Sequence, residues 1–298
     1  MGVFMAGSAF AVVGDPAGTV DTYSAGDPAN GIVSSRHNLG SFSMHISTLG
    51  TTELCVFCHT PHHTNTANNL KPMWNRGTSA PTSFTAYGTT IGGTTVASAD
   101  IGSTSLACLS CHDGVTTFDN IVNAPGKGGV SATGSVRGWV FSDFGSPVPS
   151  NLVSSRLVIG LDLSNDHPMS IVYNGAVSAT NYTGSRASLR ASNTTISTID
   201  LTSDTADSSV TYDGGNLAKN LWAVRGFIDG DATIADLLRG ASNNTVECSS
   251  CHDPHFNNKS YNEVDSTYAN SEFESNGLFL RRVGGNTGSG VCRTCHAK

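Results

Sequence analysis

Charge is what this chain has least of. Asp, Glu, Lys and Arg together make up 13% of its 298 residues, and aromatics 7%, where an ordinary cytosolic domain is about one quarter charged. So little of either excludes a salt-bridged surface around a large aromatic core. No segment approaches the roughly 20 consecutive apolar residues that a membrane-spanning helix needs. Cysteine is scarce as well, eight in the whole length. A disulfide framework belongs to short, cysteine-dense chains, so that architecture is excluded too. The net charge of -7 argues against nucleic acid and against an anionic membrane surface. In place of these features the chain holds 33 Gly and a Ser and Thr content of roughly one quarter. That composition suits an extended, turn-rich surface protein whose core is supplied by something other than side chains.

The eight cysteines are all consumed by one pattern. It runs Cys55-Val56-Phe57-Cys58-His59, Cys108-Leu109-Ser110-Cys111-His112, Cys248-Ser249-Ser250-Cys251-His252 and Cys292-Arg293-Thr294-Cys295-His296. C-x-x-C-H is the attachment signature of a c-type haem. Each thiol adds across a haem vinyl group, and the following His becomes an axial ligand of the iron. Zinc ribbons also use C-x-x-C pairs but do not require His after the second Cys. With His at 10 of 298 residues, four such coincidences have odds of about one in a million. The cofactors expected are therefore four covalently attached haem c groups, whose burial replaces missing side-chain burial.

An internal repeat underlies the four motifs. Cys55 to His62 reads C-x-x-C-H-T-P-H and Cys248 to His255 reads C-x-x-C-H-D-P-H; each is followed by a plain C-x-x-C-H, and each is preceded by an isolated His, His37 and His167. The predicted organisation is a first two-haem module over 12–135 and a second over 136–298, with a strand-rich insertion at about 136–245. Within it, strands are predicted at Gly138 to Phe141, Arg156 to Leu163, Ser170 to Tyr173, Thr195 to Leu201 and Ser209 to Tyr212. Short helices are predicted at Asn216 to Phe227 and Ile234 to Arg239, with Trp222 packed against protein or a haem edge. The Thr- and Ser-rich run from Gly77 to Ser105 reads as a long surface loop.

Four proximal ligands follow from the motifs: His59, His112, His252 and His296. The repeat selects His37, His62, His167 and His255 as distal ligands. His62 and His255 lie three residues beyond a proximal His, too near to reach round their own haem, so each would serve a neighbouring iron; Pro61 and Pro254 keep the backbone between them out of helix. Alternatives stand beside two of these, His63 beside His62 and His45 beside His37. His167, in Asn165-Asp166-His167-Pro168, reads alternatively as an exposed turn residue. Met44, Met73 and Met169 are available as ligands, but the spare histidines make them unnecessary, and Met169 suits packing against a porphyrin. Two histidines on every iron leave no vacant position for a substrate, which argues for electron transfer and against an enzyme.

The segments Glu53 to His62, Leu109 to Gly114 and Ser164 to Pro168 resemble the doubled-CXXCH multihaem cytochromes of metal-reducing microbes, and within them the tetrahaem OmcE-type extracellular cytochrome filaments. The resemblance implies bis-histidine irons, a fold of mostly irregular coil with short helices and short β-strands organised around four stacked c-type haems, and polymerisation into a conductive filament. The implied partners are further copies of the chain and electron donor and acceptor proteins or extracellular minerals. An exported protein, extracellular or at the cell surface or alternatively periplasmic, fits covalent haem attachment. The apolar stretch over 1–11, with Ala9-Phe10-Ala11 as a cleavage site, reads as a signal-peptide remnant. A His of the following arm, His37 or His45, is expected to ligate an iron of the next subunit. The competing expectation is that the arm folds back on its own first module.

Overall fold

The computed structural model describes residues 32, 37, 39, 47–48, 55–62, 74–76, 84–91, 94–96, 100–118, 120–123, 141–143, 146–147, 152, 157–173, 189–202, 220–224, 227–240, 242–255, 279–282 and 285–297. Short helices and short strands stand within mostly irregular chain. Among the described residues no helix is long and apolar enough to cross a membrane. The chain divides into two compact units, one of residues 36–171 and one of 1–35 with 172–298. His167 accordingly lies in the same unit as the first two C-x-x-C-H motifs.

In the unit 36–171, the strands are β1 (Ser47–Thr48), β2 (Gly88–Ile91), β3 (Thr94–Val96), β4 (Phe141–Asp143) and β5 (Ser146–Pro147). β2 and β3 form an antiparallel hairpin, and β1, β4 and β5 a three-stranded sheet. Pro147, which has no N–H to donate, sits in the edge strand β5, where a missing donor is tolerated. The helix α1 (Ser103–His112) follows. The Gly77 to Ser105 stretch is therefore not simply a loop. Its Thr-rich, β-branched segments pair with each other across a two-residue connection, and its end enters α1.

α1 stops at Asp113, whose carboxylate accepts the backbone N–H groups of Val115 and Thr116 at 2.8 and 2.7 Å. Gly114 follows with φ +73, and a Cβ there would lie 2.7 Å from Val158 Cγ1. Only glycine fits that turn. Leu39, Phe57 and Phe118 form the buried cluster beside the first motif, with Cys58 and Cys111 packed against it.

The unit 172–298 holds the larger core. Tyr173, Ile196, Ile199, Leu201, Trp222, Val224, Ala232, Ile234, Leu237 and Leu238 are packed together. Trp222 is buried, as expected, and its indole N–H donates to Asn220 Oδ1 at 3.1 Å. The strand β6 (Ile171–Val172) agrees with the strand predicted from Ser170 to Tyr173, and the single-turn helix α2 (Ile234–Leu237) with the helix predicted from Ile234. Thr233 fixes the start of that turn by donating its N–H and hydroxyl to Asp236 Oδ2, both at 2.9 Å. The remaining elements are β9 (Thr245–Val246) and two helical turns within the motifs, α3 (Cys248–Cys251) and α4 (Gly290–Cys295).

Three sequence expectations are corrected here. The segment read as a helix from Asn216 to Phe227 contains instead the hairpin of β7 (Trp222–Val224) and β8 (Phe227–Asp229), paired Trp222 to Asp229 and Val224 to Phe227. All three residues of β7 are buried, a continuous apolar run whose helical spacing was coincidental. The strand expected from Thr195 to Leu201 is a 3-10 turn at Ile196–Thr198. There the Thr198 hydroxyl donates to Thr195 O at 2.7 Å and Ser197 to Gly230 O at 2.5 Å, hydroxyl bonds that compete with strand pairing. The strand expected from Arg156 to Leu163 is broken by Gly160 at φ +87; its Ile159 and Gly160 N–H groups donate to His112 O. Phe141 begins β4, while Ser209 to Tyr212 lies outside the described residues.

Candidate haem-binding sites

Each C-x-x-C-H begins a turn of helix: a 3-10 turn at Cys55–Phe57, the last turn of α1, α3, and the end of α4. A helical turn brings side chains three apart onto one face, so the two sulfurs of each motif address one edge of a common partner. In three motifs the His N–H closes the turn on the first Cys carbonyl: His59 to Cys55 at 2.7 Å, His252 to Cys248 at 3.0 Å and His296 to Cys292 at 2.8 Å. The chain then leaves the helix. His252 (φ -113, ψ 143) and His296 (φ -98, ψ 120) are extended. His59, His252 and His296 make antiparallel bridges to Trp74, Leu280 and Leu189. His112 is held differently, at the end of α1, with its ring Nδ1 2.7 Å from Leu157 O.

The thiols of each unit lie near one another. Burial pushes Cys58 up to about 12, and the neighbouring Cys111 adds to this while Arg76 opposes it. Burial raises Cys111 as well. In the other unit, burial lifts Cys251 to about 11, helped by Cys292, and Cys295 to about 12, helped by Cys251. These four sulfurs are protonated at neutral pH. A thioether, the product of thiol addition to a vinyl group, carries no charge and suits the same burial. No disulfide joins any of the eight cysteines. Among the described residues no three His, Cys, Asp or Glu groups are gathered to hold a bare metal ion.

The histidines singled out from sequence are placed as follows. His37, half-buried, faces His112 with ring centroids 6.3 Å apart and planes at 75°. Two imidazoles bonded to one iron through nitrogens at about 2.0–2.1 Å have centroids about 6 Å apart, so the pair fits an axial set. His255 Nδ1 lies 3.0 Å from Asp253 Oδ1, and Asp253 Oδ2 is 3.0 Å from Arg281 Nη1. Burial opposes ionisation of Asp253, but the His255 hydrogen bond and the Arg281 guanidinium hold its carboxyl down at about 2. A carboxylate on Nδ1 fixes the ring and leaves the lone pair on Nε2, the arrangement typical of a metal-binding imidazole. His167 Nδ1 is 3.0 Å from Pro168 O, and its carbonyl accepts the Tyr87 hydroxyl at 2.9 Å. His167 is exposed, as is His62, whose carbonyl accepts Thr60 Oγ1 and Asn123 Nδ2. Met169 is buried. His45, His63, Met44, Met73 and the 1–11 stretch lie outside the described residues.

One duplicated feature escaped the sequence reading. Asn75 N–H donates to Cys58 O and Arg281 N–H to Cys251 O, both at 2.8 Å. Each donor is followed by a buried arginine, Arg76 and Arg282. Arg76 donates to the carbonyls of Ser110, Thr117 and Phe118, all at 2.7 Å, and so ties the segment after the first motif to the second. Arg282 donates to Asn220 Oδ1 at 2.9 Å, and Asn220 Nδ2 to Thr294 Oγ1 inside the fourth motif at 2.9 Å. A Cβ on Gly290, at the start of α4, would collide with the Arg282 guanidinium. The sequence signal was Trp74-Asn75-Arg76 against Leu280-Arg281-Arg282. It was hidden because the first begins 15 residues after its motif's His and the second 28. The chain matches no known protein-family model and no curated protein.

Proposed function

We propose that this protein is a tetrahaem c-type cytochrome that carries electrons through a chain of bis-histidine haems and polymerises into an extracellular conductive filament. The observation that carries the reading is the fourfold C-x-x-C-H pattern, each copy on a helical turn that sets its sulfurs on one face. Nδ1 contacts at His112, His167 and His255 suit imidazoles that would use Nε2 towards a metal. Bound haem supplies a one-electron iron centre at each motif. The chain's own work is to hold both axial imidazoles, exclude substrates from the iron, and keep two attachment sites close together within each unit. Polymerisation rests on the family resemblance, and it needs a head-to-tail contact that does not close into a ring.

Mass spectrometry of the mature protein should find one haem addition for each of the four motifs; a count of three or fewer overturns the reading. Carbon monoxide or nitrite should leave the visible spectrum unchanged, since no coordination site is open. Negative-stain microscopy should show filaments, and single particles would instead make the protein a monomeric shuttle.

A further inference from the structure

His37 and His112 lie 75 residues apart in sequence, yet their rings stand 6.3 Å apart with planes inclined at 75°. Both belong to the unit 36–171. His112 is not adjustable: it ends α1, its carbonyl accepts two backbone N–H groups, and its Nδ1 is held by Leu157 O at 2.7 Å. That bond consumes the Nδ1 proton and leaves the lone pair on Nε2, at the far side of the ring. α1 is itself tied down by Arg76, which bonds to Ser110 O. One ring of the pair is thus fixed in tautomer and orientation before any partner arrives.

We propose that His37 and His112 are the two axial ligands of a single iron, that of the haem attached through Cys108 and Cys111, with their imidazole planes held close to perpendicular. This rests on the tetrahaem reading above and deepens it by assigning one ligand pair. On this proposal His37 serves an iron of its own chain rather than one of a neighbouring subunit. A packing contact between two aromatic rings spans similar distances, and the His59–Trp74 pair at 5.7 Å is of that kind. Iron separates the two cases. Each imidazole raises one of two iron d orbitals through its π system. Parallel planes raise the same orbital and split the pair; perpendicular planes raise both alike and leave them nearly degenerate. Near-degeneracy preserves orbital angular momentum, which gives ferric low-spin iron a very anisotropic paramagnetic resonance with one large g value.

The test is low-temperature electron paramagnetic resonance of the full, haem-loaded chain, with haem content read independently by mass spectrometry. One of the four haems should show the highly anisotropic signal. His37→Gly should remove it and produce one high-spin haem, and added imidazole should restore low spin. His37→Met and His112→Met should each abolish that same signal, giving one His/Met haem in its place. If the two Met variants alter different signals, or His37→Gly leaves the spectrum unchanged with all haems present, the pairing is overturned while the cytochrome reading stands. Fewer than four haems in the unaltered protein would overturn the cytochrome reading itself. If His37→Gly does not accumulate as folded protein, the Met variants, which keep a ligand at the position, decide the question alone.

Discussion

Replacing Arg76 by Ala tests whether the buried guanidinium is the fastener between the first two C-x-x-C-H motifs. Arg76 is 2% exposed and donates to three carbonyls at 2.7 Å, two of them just beyond α1 and one, Ser110 O, inside the second motif. Hydrogen bonds from a charged donor each contribute about 1.5–3 kcal/mol. Against their loss stands the relief of a buried cation, several kcal/mol of desolvation that the mutant no longer incurs. Three stranded carbonyls and a lost side-chain volume tip the balance, and the expected net destabilisation is about 3–5 kcal/mol. Arg76→Lys keeps the charge but not the planar fork, so one ammonium cannot reach all three carbonyls in the same geometry; it should recover less than half the loss. Urea unfolding of the haem-loaded protein, followed by backbone circular dichroism, measures the effect. Every partner of Arg76 named here lies in the unit 36–171, so only the transition of that unit should move. A loss below about 1 kcal/mol, with all haems present, would refute the fastener and reduce Arg76 to a bystander.

Asp253→Asn should remove about 2 kcal/mol of stability at neutral pH. Because the folded carboxyl sits at about 2, below its ordinary 3.8, that contribution is present above pH 4 and is lost as pH falls from there towards 2; acid titration of unfolding in both proteins checks the window. Gly114→Ala meets both a positive φ and Val158, and should cost about 2–4 kcal/mol, whereas Gly160→Ala meets nothing within 4 Å and should cost only the backbone term of about 1–2 kcal/mol. Thermal melts of the two variants should therefore differ, and equal losses would deny the close approach of Val158. His167→Met should raise the potential of one haem and leave the others unchanged; a redox titration that overlays the parent would make His167 only a turn residue.

The C-x-x-C-H pattern of this chain was legible in sequence because it depends on covalent spacing. Cys-x-x-Cys-His must be read as a unit, and its four copies needed no tertiary information to find. The secondary structure was less legible. Trp222 to Val224 is buried on every residue, and a short, wholly apolar run has the same pattern in a core strand as in a helix. Ile196 to Thr198 is rich in β-branched residues, yet its hydroxyls bond nearby carbonyls and curl it into a turn. The fasteners were the least legible. Asn75 and Arg281 make the shared contact through their backbone N–H groups, a role that residue type does not specify, and their unequal distances from the motifs concealed the equivalence of the arginines that follow.

That equivalence bears on how the two halves hold their C-x-x-C-H turns. In both, the segment after the tailed motif returns to pair with the motif's His, donates one N–H to the second Cys carbonyl, and buries an arginine next. What is shared is a backbone contact and a cation, while the partners of the cation differ: three main-chain carbonyls for Arg76, and for Arg282 an Asn220 side chain together with Gly285 O. A return strand tolerates a loop of either length before it, since loop closure costs only about 0.6 kcal/mol for each doubling. The two halves can therefore carry loops of different length at little cost. The carbonyl of the second Cys could not be left unpaired so cheaply, because a carbonyl withdrawn from water without a partner costs about 1–3 kcal/mol. The backbone bond to that carbonyl is thus the contact the two halves share, while the residues that make it, Asn75 and Arg281, differ.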